Sequence, residues 1–197
     1  MPPHLQANSL TKFTSLQLTI RASTLTEAGS KLRATLSTGP KIRTIRVLLD
    51  PKGKEIGLWL SAVRAATPEL RGVMVQGFFA RVFRMAGYDV IVGKELDIFA
   101  RNRQRSMLVE VKSSLNGAGF GSQAEIAQLE GYLVVGERKR ASTWLAVMGL
   151  NKPVRLRDGF KSGLRTRNIG LIDVRWISPE DTLMPHLASI GQCHAAG

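Results

Sequence analysis

The sequence predicts an α/β fold, a central mixed β-sheet flanked by helices, on three observations. Segments of period-two alternation and segments of helical spacing follow one another along the chain. Two short apolar runs are joined by a polar stretch, which reads as an antiparallel hairpin within that pattern. The 197 residues are 44% hydrophobic and 22% charged, with a mean hydropathy near zero, enough apolar material for one buried core.

Taken in order, residues 1–12 read as an irregular lead-in. From Ser15 to Arg21, Leu16, Leu18 and Ile20 alternate with polar residues as in a half-buried strand. Leu25, Ala28, Leu32 and Leu36 share one helical face, with Ser23 or Thr24 near the N-cap and Gly39-Pro40 closing the helix. Lys41–Leu49 is a second strand, and Asp50-Pro51-Lys52-Gly53 is a turn and domain boundary. The expected division is therefore a β-α-β extension over 1–53, suited to DNA contact or dimerisation, and a main domain over 54–197.

Residues 54–66 read as a helix through Ile56, Leu60 and Val63. Thr67-Pro68-Glu69 starts the next: a capping hydroxyl, proline in the first turn, then an acid at the positive end of the dipole. It runs to about Ala86, with Gly87 just past its end, and carries Leu70, Val73, Met74, Phe78, Val82 and Met85 as its apolar surface. Tyr88–Val92, Leu96–Ala100 and Met107–Val111 are short strands, the last two flanking a hairpin tip. A glycine-rich loop, Asn116–Gly121, leads to a helix over 123–138 capped by Ser122. The loop lacks a phosphate-binding lysine and reads as a flexible substrate-side loop. Ser142–Met148 and Ile169–Val174 are further strands.

Charge separates the function classes. There are 28 Lys and Arg against 15 Asp and Glu, a net +13 with a pI near 10.7, and eighteen of those cations are arginine. Such an excess favours a polyanionic partner, and the planar guanidinium suits phosphate. One cysteine, Cys193, excludes a disulfide scaffold and a thiolate zinc cluster. His4, His186 and His194 sit near the ends, away from any histidine-based site. No apolar run reaches the ~20 residues of a membrane span, and the first residues lack a signal-peptide core, so the expected setting is cytoplasmic.

With the hairpin centred between Arg103 and Gln104, Ile98 faces Val109 and Ala100 faces Met107, an apolar face. On the other face Asp97 lies opposite Glu110, and Glu95 opposite Lys112, at the ~4.5–5.5 Å of directly opposed Cβ atoms. Facing carboxylates repel unless a cation lies between them, and magnesium is held through one or two carboxylates with waters retained. Glu110 and Lys112 point the same way, which sets the lysine beside the metal, ready to orient a water or steady a phosphate. The competing reading is surface electrostatics on a solvent-facing hairpin. The apolar flanks Leu96, Ile98, Val109 and Val111 weigh against it, because unpaired acids in such a setting cost free energy.

Asp97, twelve residues, then Glu110-Val111-Lys112 resembles the acidic core of the PD-(D/E)XK nuclease superfamily. The upstream helix ending in Gly87-Tyr88-Asp89-Val90 is similar to that of archaeal Holliday-junction resolvases. Gln128-Leu129-Glu130-Gly131-Tyr132 fits the Gln-x-x-x-Tyr helix motif of RecB-type members, with Gln128 and Tyr132 on one helical face. The resemblance covers roughly residues 68–148 and implies a restriction-endonuclease-like core and Mg²⁺-dependent phosphodiester hydrolysis leaving a 5′ phosphate, with Mn²⁺ as a substitute. By position, Asp97, Glu110 and the Val111 carbonyl would hold metal and Lys112 would assist the water or the phosphate. Gln128 and Tyr132 would buttress the lysine or contact substrate. Family habit suggests a homodimer. Two departures stand out: Leu96 replaces the proline of the motif, and Gln76 occupies the place where resolvase-like members offer a glutamate on the first helix.

Residues 138–167 hold nine cations, Arg138, Lys139, Arg140, Lys152, Arg155, Arg157, Lys161, Arg165 and Arg167, against Asp158 alone. Arg101, Arg103 and Arg105 occupy the hairpin tip. Such flanks suit a surface that tracks a DNA backbone, duplex or branched, without reading sequence. Phe160 and Trp176 read either as base-stacking residues or as core. The reading is a Mg²⁺-dependent DNA endonuclease, structure-directed or of restriction or homing type. Its competitors are a nucleic-acid-binding protein with a degenerate nuclease core and an RNA-directed nuclease.

Overall fold

The chain alternates strand and helix because its apolar periodicity switches repeatedly, and the computed structural model describes the result over residues 16–37, 42–93, 96–117 and 119–178. Glu95, Cys193, His4, His186 and His194, singled out above, lie outside those residues, as does the Gly39-Pro40 helix stop. The elements begin with β1 (Leu16–Ala22), α1 (Leu25–Ser37) and β2 (Ile42–Leu49). Helices α2 (Lys54–Ala65) and α3 (Pro68–Met85) follow, then β3 (Asp89–Val92), β4 (Ile98–Arg101), β5 (Ser106–Ser114) and β6 (Gly119–Phe120). The chain continues through α4 (Gln123–Lys139), β7 (Ser142–Gly149), β8 (Arg155–Leu156), α5 (Asp158–Thr166) and β9 (Gly170–Trp176).

Seven strands form one mixed sheet in the order β1-β2-β9-β7-β5-β4-β3. β1, β2, β9, β7 and β5 are mutually parallel, while β4 pairs antiparallel with β5 and β3 antiparallel with β4. The α/β fold with a mixed central sheet expected from the sequence is what the chain adopts. Helices α1, α2 and α3 cover one face, and α4 and α5 cover the other. β7 runs through the middle with Trp144–Met148 buried on both faces, which is why it reads as an unbroken apolar run.

The segment 16–49 continues this sheet, β2 pairing with β9 along Thr44–Leu49. Ile20, Leu32, Ile45, Val47 and Leu49 share one core with Val75, Phe79 and Phe83 of α3. The turn at Asp50–Gly53 links two elements of that common core. Both candidate caps of α1 act together: Thr24 accepts the Glu27 N–H at 3.1 Å, and Glu27 accepts the Ser23 N–H at 2.8 Å.

Helix α3 starts at Thr67, whose hydroxyl accepts the Leu70 N–H, and Gly87 follows its end at φ +83°, a left-handed conformation that glycine adopts without strain. Its buried stripe is Val75, Phe78, Phe79, Val82 and Phe83, the i, i+3, i+4, i+7, i+8 spacing of one face. Leu70 and Val73, expected on the core side, lie on the opposite side and are 52% and 63% exposed, and Met85 is also exposed. They fall outside the stripe that Phe79 and Phe83 define.

The glycine-rich loop is pinned rather than free. β6 pairs parallel with β8 in a small second sheet, and Phe120 O accepts the Arg157 N–H at 3.2 Å. Helix α5 went unread in the sequence because Gly159 and Gly163 dilute its helical signal. Phe160 and Leu164, one turn apart, are its buried face. Phe160 is therefore core rather than a stacking platform. Trp176 packs near Trp59, ring centroids 6.4 Å apart, and donates to Gly149 O at 2.7 Å. Among the described residues no helix is long and apolar enough to cross a membrane.

Candidate active site

The hairpin register follows from its apolar face. Ile98 opposes Val109 and Ala100 opposes Met107, all four fully buried against α3. Period-two alternation then turns Glu110 and Lys112 to the α4 face of the sheet. Asp97, one residue before β4, comes against the same stretch: its Oδ2 accepts the Val111 N–H at 2.8 Å. In an extended strand the N–H and C=O of one residue point to the same edge, so the Val111 carbonyl also faces the Asp97 side.

Helix α4 brings the other two motif residues. Ser122 and Glu125 form a reciprocal capping box that fixes its first turn. Gly136 lets the helix sit close to the sheet: a Cβ there would lie 2.8 Å from Ala141 O and 3.0 Å from Thr143 Oγ1. One turn earlier Tyr132, 4% exposed, accepts the Asp97 N–H on its hydroxyl at 2.9 Å. Gln128 Oε1 accepts from Lys112 Nζ at 2.9 Å, and the same Nζ is 2.7 Å from Glu110 Oε1. Helix α3 contributes from the far side, where Gln76 Nε2 donates to Asp97 O at 2.9 Å and to Asp97 Oδ1 at 3.1 Å. Gln76 stands at the edge of the buried stripe of α3, the position from which a side chain reaches around the sheet.

The electrostatics are those of crowded carboxylates. Burial pushes the Asp97 carboxyl up to about 6; the Val111 N–H opposes the shift, and the adjacent Glu110 adds to it. Burial and the neighbouring Glu110 carboxylate also raise the Tyr132 phenol above its ordinary value. Glu110 is 1% exposed, and its Oε2 is buried with no hydrogen-bond partner. An orphaned carboxylate oxygen on Glu110, beside the half-buried Asp97 carboxylate, is a donor set that could take a metal ion in addition to the Lys112 ammonium. Among the described residues no group of three or more His, Cys, Asp or Glu side chains converges. Two carboxylates and a backbone carbonyl suit a hard, water-retaining ion such as Mg²⁺ and are too few for an all-protein cage.

Asp97, Glu110, Val111, Lys112, Gln128 and Tyr132 thus come together, and Gln76 joins them as a direct partner of Asp97. The basic residues do not form one group. Arg101, Arg103 and Arg105 sit at the hairpin tip, four or more residues along β5 from Glu110, roughly 13 Å at ~3.3 Å per residue. Arg138, Lys139 and Arg140 lie at the C-terminal end of α4, on that same side. Arg103, Arg105 and Arg140 line a cleft of about 380 Å³ with Arg43, and Lys139 Nζ lies 5.5 Å from the centre of the Phe99 ring. Lys152, Arg155, Arg157, Lys161 and Arg165 belong to the opposite end, beyond the C-terminus of β7 and around α5. Arg167 is committed to an ion pair with Glu130 at 2.9 Å. No family model matches the chain, and no curated protein matches it.

Proposed function

We propose that this chain is a Mg²⁺-dependent DNA endonuclease of PD-(D/E)XK type, structure-directed like the junction resolvases or of restriction or homing type. The observation that carries the reading is the buried, partnerless Glu110 Oε2 beside Asp97, with Lys112 Nζ held against the same carboxylate. Asp97, Glu110 and the Val111 carbonyl would hold Mg²⁺, with Mn²⁺ able to substitute. When bound there, the ion would polarise the phosphoryl oxygen and acidify a water. Lys112 is the group placed to meet the scissile phosphate, because its ammonium is steered by Glu110 on one side and Gln128 on the other. Gln128 and Tyr132 act as positioning residues: one aims the lysine, the other fixes the backbone of Asp97. Basic side chains at both ends of the sheet give a DNA backbone something to follow without reading its bases.

A degenerate, binding-only core is the second reading, favoured by one observation: Gln76 presents an amide to Asp97 where resolvase-like members carry an acid. Incubation with supercoiled plasmid, a four-way junction and single strands, in Mg²⁺ or in EDTA, separates the two. Cleavage in Mg²⁺ alone, lost by a factor of ~10³ or more in Asp97→Ala and Lys112→Ala, is the expected result. Cutting by both variants at the wild-type rate would overturn the site, and tight, salt-sensitive binding without cutting would establish the second reading. A homodimer belongs to the same proposal, and light scattering reads it directly.

A further inference from the structure

A large cavity lies on the same face of the sheet as the acidic site, at the edge of α5, over β9 and β2. It encloses about 830 Å³, within the ~300–1,000 Å³ usual for small-molecule sites. Among the described residues that line it, seven are lysine or arginine and one, Asp173, is an acid. The sheet explains the floor. Lys112, Val147, Asp173 and Arg46 are successive register partners across β5, β7, β9 and β2, so their side chains leave the same face. α4 and α5 cover Val147 and Lys112, whereas Asp173 and Arg46 lie toward the edge of α5, on the β2 side.

Two floor atoms make no hydrogen bond. Asp173 is 8% exposed, and its Oδ2 takes the Arg175 guanidinium at 2.8 Å, while its Oδ1 is buried and unpaired. Arg46 Nε, 3.8 Å from Asp173 Oδ2, is likewise buried and makes no hydrogen bond. An orphan acceptor next to an orphan donor asks for a group that does both, and a hydroxyl is that group. A bare phosphate would suit Arg46 and be repelled by Asp173. The rim asks for phosphate: Lys152, Arg155 and Arg165 are exposed cations around the opening.

We propose that this cavity binds a nucleotide unit, its phosphate on the rim cations and a free sugar hydroxyl between Asp173 Oδ1 and Arg46 Nε. An internal deoxynucleotide has both sugar oxygens esterified, so, for DNA whose 5′ ends carry phosphate, the unit is either a free nucleotide or the 3′ end of a strand. The site stands apart from the carboxylates and needs no metal, so its test is independent of cleavage.

Calorimetric titration of the full chain in EDTA with adenosine 5′-monophosphate, adenosine and inorganic phosphate is the direct measurement. The monophosphate should bind saturably and at least tenfold more tightly than either fragment. An Arg155→Ala/Arg165→Ala double variant, altered at two exposed rim positions, should keep its melting temperature and lose at least tenfold in affinity; Arg46→Gln should lose a similar factor. Competition with a short single strand ending in a 3′ hydroxyl, against the same strand ending in a 3′ phosphate, identifies the source. Displacement by the first alone assigns a strand end, and displacement by neither assigns a free nucleotide. Monophosphate binding no tighter than inorganic phosphate, displacement by both strands alike, or an unchanged affinity in the rim variant would overturn the proposal.

Discussion

The carboxylate site and the basic cavity occupy the same face of the same sheet, and their floors share a row of register partners. They differ in what lies over them. α4 is seventeen residues long, capped at Ser122 and seated by Gly136, so it delivers Gln128 and Tyr132 onto the strand below. α5 is nine residues, covers β7 and β9 through Phe160 and Leu164, and leaves the floor toward β2 open. The buried polar groups in the two places therefore meet different fates. Asp97 has both carboxylate oxygens and its N–H engaged by protein, with Glu110 Oε2 left over, whereas Asp173 and Arg46 each keep a buried atom without a hydrogen bond and line a space large enough for a ligand. A helix that seats tightly leaves room for an ion at most, and one that stops short leaves room for a molecule.

Seating α4 less tightly should therefore damage one site and spare the other. Gly136→Ala places a methyl 2.8 Å from Ala141 O, which forces the helix or the β7 entry to move. Overpacking of this kind costs typically ~1–3 kcal/mol. Tyr132 lies one turn away and would lose its alignment with the Asp97 N–H, so cleavage should fall more steeply than stability alone explains. Nucleotide binding in the cavity should stay within twofold of wild type. A urea melt that matched wild type would show that α4 does not depend on this contact.

A smaller effect comes from the crowding of Asp97 and Glu110, and it has a defined sign. The Asp97 carboxyl is pushed from an ordinary value of 3.8 to about 6 in the folded chain, first by burial. Between about pH 4 and pH 6 the folded state holds a proton that the unfolded state has released. In the metal-free protein this contribution is complete below about pH 4, is lost as pH rises through 6, and stays lost above it. Asp97→Asn removes the charge, so it should flatten that slope while abolishing cleavage, and its single amide oxygen cannot accept from both the Val111 N–H and Gln76, which offsets the relief from Glu110 in the melting temperature at pH 7.5. Mg²⁺ should stabilise wild type at that pH and leave the variant nearly unchanged. Identical pH slopes in the two proteins would mean that Asp97 is not the group that titrates.

How much of this was legible in the sequence follows from which contacts are local. The hairpin register was readable because Ile98, Ala100, Met107 and Val109 alternate with polar residues over a short separation, and that register alone put Asp97 against β5. Gln128 and Tyr132 were readable as a pair because i and i+4 share a helical face. The cavity was not readable, since its floor exists only once β9 inserts between β2 and β7, a pairing of segments more than 120 residues apart for β2 and β9. The basic residues looked like one track because they are close in sequence. β7 carries the chain from one end of the sheet to the other between Arg140 and Lys152, and so divides them. Gln76 was visible as a departure from a motif, but its bond to Asp97 depends on how α3 packs across the strands.

The least disruptive change lies where α4 ends, remote from both sites. Arg140 closes the helix in the left-handed region at φ 51°, ψ 42°, a conformation that strains a side-chain-bearing residue and that glycine accepts freely. Its N–H bonds Glu137 O at 3.2 Å, a contact that any residue at this position would make. Arg140→Gly should stabilise the fold by about 0.5–1 kcal/mol, the relief of local strain set against the greater freedom of an unfolded glycine. The helix keeps its seat, so metal-dependent cleavage at saturating substrate and nucleotide affinity should both hold at wild-type values. One cation leaves the cleft at the hairpin tip, so the salt dependence of DNA binding should shallow by at most about one counterion if that cleft meets a phosphate. A stabilised variant with an unaltered salt slope would show that Arg140 meets no phosphate.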